Sequence, residues 1–346
     1  MARRLYIHCG LHKTGSTALQ HQMSRLADRL AERGVLLPLT SGRHGRRGVH
    51  HGLAHHVASA RRFAAREQSY RALAAEIAAF EGEAAYLSSE DFEAILGEAP
   101  ALERLKQLAE ATGAALVLVL YLRSQIEYAE SLYLQSLRMG YPDPADAALA
   151  AVLDTGTLRW RRWCYHFDYQ AVVAGLEAQG FEVRVRSYHR LVGGSTASDM
   201  LDLLGQGDLA EDTAAAVRRN PTRRAGNIAQ FARNALGEEA PPAEHLAAID
   251  ALLGDLRVRL GPELRAAFAA RFDPGNALLD QRFPGLALAE TLSSHAAEVP
   301  EGPRLEHVFS KATLEQVQGA GAPTESHLAQ LTAMWRGADL TEAGSA

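Results

Sequence analysis

The sequence predicts an α/β protein: a central, mostly parallel sheet flanked by helices, followed by a helical C-terminal part. Three observations lead there. Over roughly the first 205 residues, apolar runs of strand length alternate with segments of helical period. One run, "AALVLVLYLR" ending at Arg123, is apolar without polar alternation, as suits a strand covered on both faces. After Gly194 the strand-like runs stop and helical spacing dominates.

The elements follow in order. "RLYIHCG" reads as a strand, and "STALQHQMSRLADRLAERG" as a helix with Leu19, Met23, Leu26 and Leu30 on one face and Gly34 as its stop. "VLLP" is a short strand, and "SGRHGRRGVHHGLAHH" a loop leading into a helix. Leu73, Ile77 and Phe80 mark the face of another helix before the strand "AAYLSS". "PALERLKQLAEATG" is a helix ended by glycine, and "SQIEYAESLYLQSLR" a helix whose Ser124 and Glu127 have capping-box spacing. "TLRWRRWCYHFDYQAVVAGLEAQG" reads as one long helix ending at Gly180, and "FEVRVRSY" as a further strand.

Hydrophobic residues at 47% and charged residues at 22% describe a soluble globular chain able to bury a core. A net charge of −5 argues against general nucleic-acid binding, and no apolar run reaches membrane-spanning length. The opening "MARRLYIHCG" has only a strand-sized apolar run, too short for a signal peptide, so a cytoplasmic protein is expected. Cys9 and Cys164 form no CxxC pair and read as buried apolar filler. Residues 1–298 are expected to form one domain, with an α/β core to about 205 and a helical part over 206–298. The Gly-, Ala-, Pro- and Glu-rich tail, 299–346, is expected to be loosely attached or partly disordered.

The chemistry concentrates at "YIHCGLHKTGSTALQ". Where a strand turns into a helix, the unpaired N–H groups of the first turn and the helix dipole favour an anion. Gly10 and Gly15 permit close backbone approach, Lys13 adds a charge, and Thr14, Ser16 and Thr17 add hydroxyls. The pattern is not a Walker A loop, because the lysine precedes Gly15 by two positions instead of following it. Nor does the apolar strand end in the aspartate that would hold magnesium; it ends in Arg123. Ser131 lies two helical turns beyond Ser124 on the same face, and a guanidinium with a hydroxyl suits a second phosphate.

These residues carry a family resemblance. "GLHKTGSTALQ" resembles the 5′-phosphosulfate loop of sulfotransferases that use 3′-phosphoadenosine 5′-phosphosulfate (PAPS), and "YLRSQIEYAESLYLQ" resembles their 3′-phosphate motif. The likeness is nearest to bacterial and carbohydrate-type enzymes, over about residues 5–20 and 114–136. It implies a P-loop-like three-layer fold, PAPS as co-substrate with PAP as product, no metal, and a carbohydrate or small-molecule acceptor. On the matched positions it implies that His12, Lys13, Thr14, Gly15, Ser16 and Thr17 line the donor's 5′ end. It likewise assigns Lys13 to the leaving oxygen, and Arg123 and Ser131 to the 3′-phosphate.

For the general base, Glu90 stands after "AAYLSS", where the resemblance places a carbohydrate-type glutamate; Glu90 or Asp91 could equally cap the following helix. His50 and His51 are rival bases, and His51 with His55 has one-face spacing, although no H-E-x-x-H pattern makes a metal site of it. Arg43, Arg46 and Arg47 suit an anionic or sugar acceptor, and Arg218, Arg219, Arg223 and Arg224 are candidates for a closing basic loop. Trp160, Trp163 and Tyr165 read as packing rather than a sugar platform. A small-molecule kinase and a non-catalytic PAP-binding protein are the rival functions, and the oligomeric state is left open.

Overall fold

The computed structural model describes residues 3–40, 47–213, 228–253, 258–299, 302–319 and 324–337. The chain divides into two compact units: residues 1–123, 161–219 and 274–289 form the first, and 124–160, 220–273 and 290–346 the second.

The first unit is built on five parallel strands: β1 (Arg4–His8), β2 (Val35–Leu36), β3 (Ala84–Ser88), β4 (Ala115–Leu122) and β7 (Glu182–Ser187), in the order β2-β3-β1-β4-β7. Between β4 and β7 lie two further short strands, β5 (Thr157–Trp160) and β6 (Trp163–His166). The middle strand, β1, sets Tyr6 against Tyr86 of β3 and Val117 of β4. The run Val117–Leu122 is wholly buried, so the unalternating apolar pattern does mark a doubly covered strand. Because the strands are parallel, the chain leaves β1, β3 and β4 at one edge of the sheet, and the segments after His8, Ser88 and Leu122 emerge together there.

Helices α1 (Ser16–Arg25) and α2 (Ala27–Glu32) follow β1. Leu19, Met23, Leu26 and Leu30 are all buried as their spacing requires, in a core shared with Tyr6, Tyr86, Val119 and Tyr121. The single expected helix bends into two at Leu26, whose φ −92 and ψ 3 leave the helical range. Helices α3 (His51–Val57), α4 (Ala60–Ala64) and α5 (Glu67–Ala79) precede β3, and α6 (Ala99–Thr112) precedes β4.

After β4 come α7 (Gln125–Arg138) and α8 (Ala145–Thr155), then α9 (Tyr169–Ala178) before β7 and α10 (Thr196–Leu203) after it. The rest is helical: α11 (Ile228–Leu236), α12 (Ala243–Leu253), α13 (Pro262–Arg282), α14 (Leu288–Ala297), α15 (Leu305–Val308), α16 (Lys311–Gly319) and α17 (Glu325–Arg336). Among the described residues, no helix is long and apolar enough to cross a membrane.

Three expectations are corrected. The long helix over 157–180 is instead β5, a turn with Arg161 at φ 53, β6, and then α9 capped by Asp168. Alternation explains it: Leu158 is buried and Arg159 exposed, a period of two that bulky aromatics disguise as a helical stripe. The segment beyond 299 is no loose tail where it is described. Leu305, Val308, Leu331 and Trp335 are buried, and the Trp335 indole donates to Thr313 Oγ1 at 3.1 Å, so three short amphipathic helices share a core with the second unit. Ser124 is the N-cap residue of α7, but its side chain makes no capping bond.

Candidate functional site

The loop expected to bind an anion spans Gly10 to Gly15, between β1 and α1. Lys13 has φ 69 and Gly15 φ 83, so the backbone passes through the left-handed region twice within three residues. For Lys13, which has a Cβ, that costs about 1–2 kcal/mol, and the surroundings must hold it there. The Thr14 hydroxyl donates to the Leu11 carbonyl at 2.6 Å, Thr196 Oγ1 donates to the Thr14 carbonyl at 3.2 Å, and Arg123 Nη1 donates to the Lys13 carbonyl at 3.0 Å. Glycine is required at Gly10 for space, since a Cβ there would lie 2.1 Å from His8 Nε2. The first turn of α1 leaves its N–H groups outside the helix ladder. The Ser16 hydroxyl is buried there without a hydrogen-bond partner among the described residues.

Arg123 ends the first of the three chain stretches that make up the first unit. Its backbone carbonyl accepts from the Tyr169 hydroxyl at 2.7 Å, and its guanidinium lies 5.3 Å from the centre of the Tyr188 ring. The two motifs, 110 residues apart, meet because β1 and β4 are neighbours in register. Ser131 lies partly buried on α7, in the second unit. Thr17 is exposed on the first turn of α1.

His12 is held by two carboxylates. Its N–H donates to Glu93 Oε2 at 2.9 Å, its ring Nδ1 lies 2.8 Å from the same oxygen, and its Nε2 lies 3.6 Å from Asp91 Oδ1. The His12 N–H and ring are thus held by carboxylates, which anchors the loop. Burial pushes the imidazole's pKa down, but hydrogen bonds to Asp91 and Glu93 outweigh it and raise it to about 9. Glu93, fully buried, also accepts from the His166 N–H at 2.9 Å.

Asp91 gathers two more imidazoles from one face of α3: His51 Nδ1 and His55 Nε2 each lie 3.1 Å from its Oδ2. Burial alone would raise the Asp91 pKa; the three histidines hold it well below the usual carboxylate range. Trp163 and Tyr165 are stacked at 6.2 Å and meet His12 edge-on at 5.7 and 5.1 Å, and Trp163 meets His55 at 5.5 Å. The aromatic pair therefore walls this cluster. Glu90 turns toward α1, its Oε2 accepting from Gln20 Nε2 at 2.9 Å. The cap of the following 3-10 turn is Ser89, whose Oγ accepts from the Asp91 N–H at 3.0 Å. His50 is buried with its pKa lowered to about 4, chiefly by burial, which keeps it neutral. Arg47 pairs with Asp28 at 2.5 Å, while Arg43, Arg46 and the four arginines of 218–224 lie outside the described residues.

Glu93, Asp91, His55 and Gln20 carry site geometry that the sequence did not single out. Only Asp91 and His55 had any local signal, one as a helix cap and the other as the partner of His51 in a one-face pair. Among the described residues no group of histidine, cysteine or carboxylate side chains has the arrangement to hold a metal ion. No family model, no curated protein and no solved structure matches the chain.

The raised His12 pKa predicts a pH dependence of stability. A folded pKa of about 9 against an ordinary 6.5 means the ion pair's contribution is complete below pH 6.5 and lost as pH rises through 9. Up to about 3 kcal/mol should disappear over that window. Asp91, shifted down, changes only in acid and leaves the window untouched. Urea unfolding at pH 6.5, 8 and 9.5 should show the decline, and His12→Gln should flatten it; an equally steep decline in the variant would remove His12 as its source.

Proposed function

We propose that the protein is a PAPS-dependent sulfotransferase of P-loop-like fold, moving a sulfuryl group to a hydroxyl or amine of a carbohydrate or small natural product. The observation that carries this reading is Arg123 docked on the backbone of Lys13, at the ends of adjacent parallel strands. It sets two cationic side chains at one sheet edge, where a magnesium-dependent kinase would need a carboxylate. A guanidinium has five N–H donors and can serve a loop carbonyl and a phosphate together.

In this reading the first-turn N–H groups of α1 and the Ser16 hydroxyl hold the 5′-phosphate, and the buried orphan hydroxyl supports that role. Arg123 takes the 3′-phosphate, which selects PAPS over ATP. The Lys13 ammonium meets the negative charge that develops on the bridging oxygen as sulfur departs. The Thr14 hydroxyl closes the loop from inside through its bond to the Leu11 carbonyl, leaving the main-chain N–H to the 5′-phosphate. The chemistry asks the protein only to align donor and acceptor and to stabilise the leaving oxygen.

Titration calorimetry with PAP, AMP and ATP in metal-free buffer tests the reading. PAP should bind at least tenfold more tightly than AMP, and Arg123→Ala should abolish that preference. Tight binding of magnesium–ATP instead would favour a kinase; equal affinity for PAP and AMP would end the 3′-phosphate assignment. PAP binding with no transfer to any of a panel of sugars and phenols would indicate a non-catalytic nucleotide-binding protein.

A further inference from the structure

We propose, resting on the sulfotransferase reading, that Asp91 is a positioning residue that fixes His51 as the acceptor's base and ties it to the donor loop through His12. The geometry is closed on three sides. His51 Nδ1 lies 2.8 Å from Ser89 Oγ and 3.1 Å from Asp91 Oδ2, and the Asp91 N–H donates to the same Ser89 oxygen at 3.0 Å. A neutral imidazole whose Nδ1–H points at a carboxylate presents Nε2 as its lone-pair nitrogen, which is the orientation a base requires. The second oxygen of Asp91 faces Nε2 of His12, the residue just before Lys13. One carboxylate thus links the proton acceptor to the loop that carries the sulfuryl-activating lysine.

The remaining neighbours fit this role. His55, one turn from His51 on α3, shares Asp91 Oδ2 and holds the carboxylate in place. Trp163, partly exposed and stacked on Tyr165 with the Arg162 guanidinium over its ring, meets His55 and His12 edge-on and walls the cluster. Glu90, the alternative base, has an oxygen engaged by Gln20 of α1. The charged and titratable groups around His51 are Asp91, Glu90 and Glu93 from the segment after β3, His12 from the loop, and His50 and His55 from its own helix. Arg162 and Tyr165 face the cluster from β6 and the turn before it.

In the step itself, the acceptor oxygen bonds to sulfur as the bond from sulfur to the bridging oxygen breaks. The acceptor's proton passes to His51 Nε2, and PAP departs with the electron pair on its 5′-phosphate, facing Lys13. Asp91 stabilises the imidazolium so formed and keeps its own proton state.

The test uses the full chain and two readouts. In nitrogen-15 spectra of histidine-labelled protein, with His51→Gln to assign the signal, His51 should be the Nδ1–H tautomer and should lose that preference in Asp91→Asn. With labelled PAPS and the same sugar and phenol panel, Asp91→Asn should lower transfer roughly a hundred- to ten-thousandfold. PAP affinity should stay within about threefold, and the acid limb of the pH–rate profile should move to lower pH. Should Asp91→Asn fail to fold, His51→Gln, which leaves Asp91 its other two partners, must show the same loss with PAP affinity kept. An Nε2–H tautomer in the wild type, or near-normal transfer by a folded variant that binds PAP, overturns the proposal alone. Failure of the wild type to bind PAP overturns the donor assignment and the base role with it, while the tautomer measurement still decides whether Asp91 and His51 are paired.

Discussion

Lys13→Ala is expected to lose sulfuryl transfer by a hundredfold or more, while PAP binding weakens far less. The reason lies in when the charge is needed. In the proposed reaction PAP already carries its negative charge, held by several donors, whereas the bridging oxygen gains charge only as sulfur leaves, and Lys13 would be the cation that the loop supplies for that moment. The backbone allows a control for folding. Lys13 sits at φ 69, where glycine is unstrained, so Lys13→Gly should be more stable than wild type by about 1 kcal/mol and still inactive. Transfer measured with labelled PAPS and urea unfolding measured in parallel separate the two effects. Near-normal turnover in either variant removes Lys13 from the mechanism.

Glu93→Gln is expected to destabilise the first unit by about 3–5 kcal/mol, the cost of stranding a buried charge when its partner is removed. Glu93 is fully buried and receives the N–H of His12, the His12 ring and the N–H of His166. A glutamine offers one carbonyl where the carboxylate offers two accepting oxygens, and its amide turns a donor toward a donor. Trp163, packed edge-on against His12, gives a fluorescence report of the same region. PAP affinity should fall with stability in this variant, because the loop loses the bond that sets the His12 backbone. A loss below about 1 kcal/mol would mean that His12 is not held as a cation in the folded state.

The helix spanning 157–180 and the loose tail beyond 299 show where reading a chain one segment at a time goes astray. "TLRW" and "WCYHF" are too short and too aromatic for period to decide between strand and helix. The tail's Gly and Ala content hid the widely spaced Leu305, Val308, Leu331 and Trp335, which are buried only because other helices of the second unit cover them. Long, strongly patterned segments such as 16–34 and 114–123 were legible, because their burial follows from their own spacing.

The sequence by itself determined the parallel α/β core, the glycine- and hydroxyl-rich loop after β1 and the arginine that follows β4, since strand–turn–helix chemistry is local and is written in consecutive residues. Only the tertiary structure decided that Arg123 holds the Lys13 backbone, that His12 meets Glu93 and Asp91, and that Asp91 gathers three imidazoles. Glu93 and His12 are 81 positions apart, and Arg123 and Lys13 are 110. A carboxylate's role depends on which buried groups the folded sheet edge brings within 3 Å of it, and no local pattern in the chain encodes that distance.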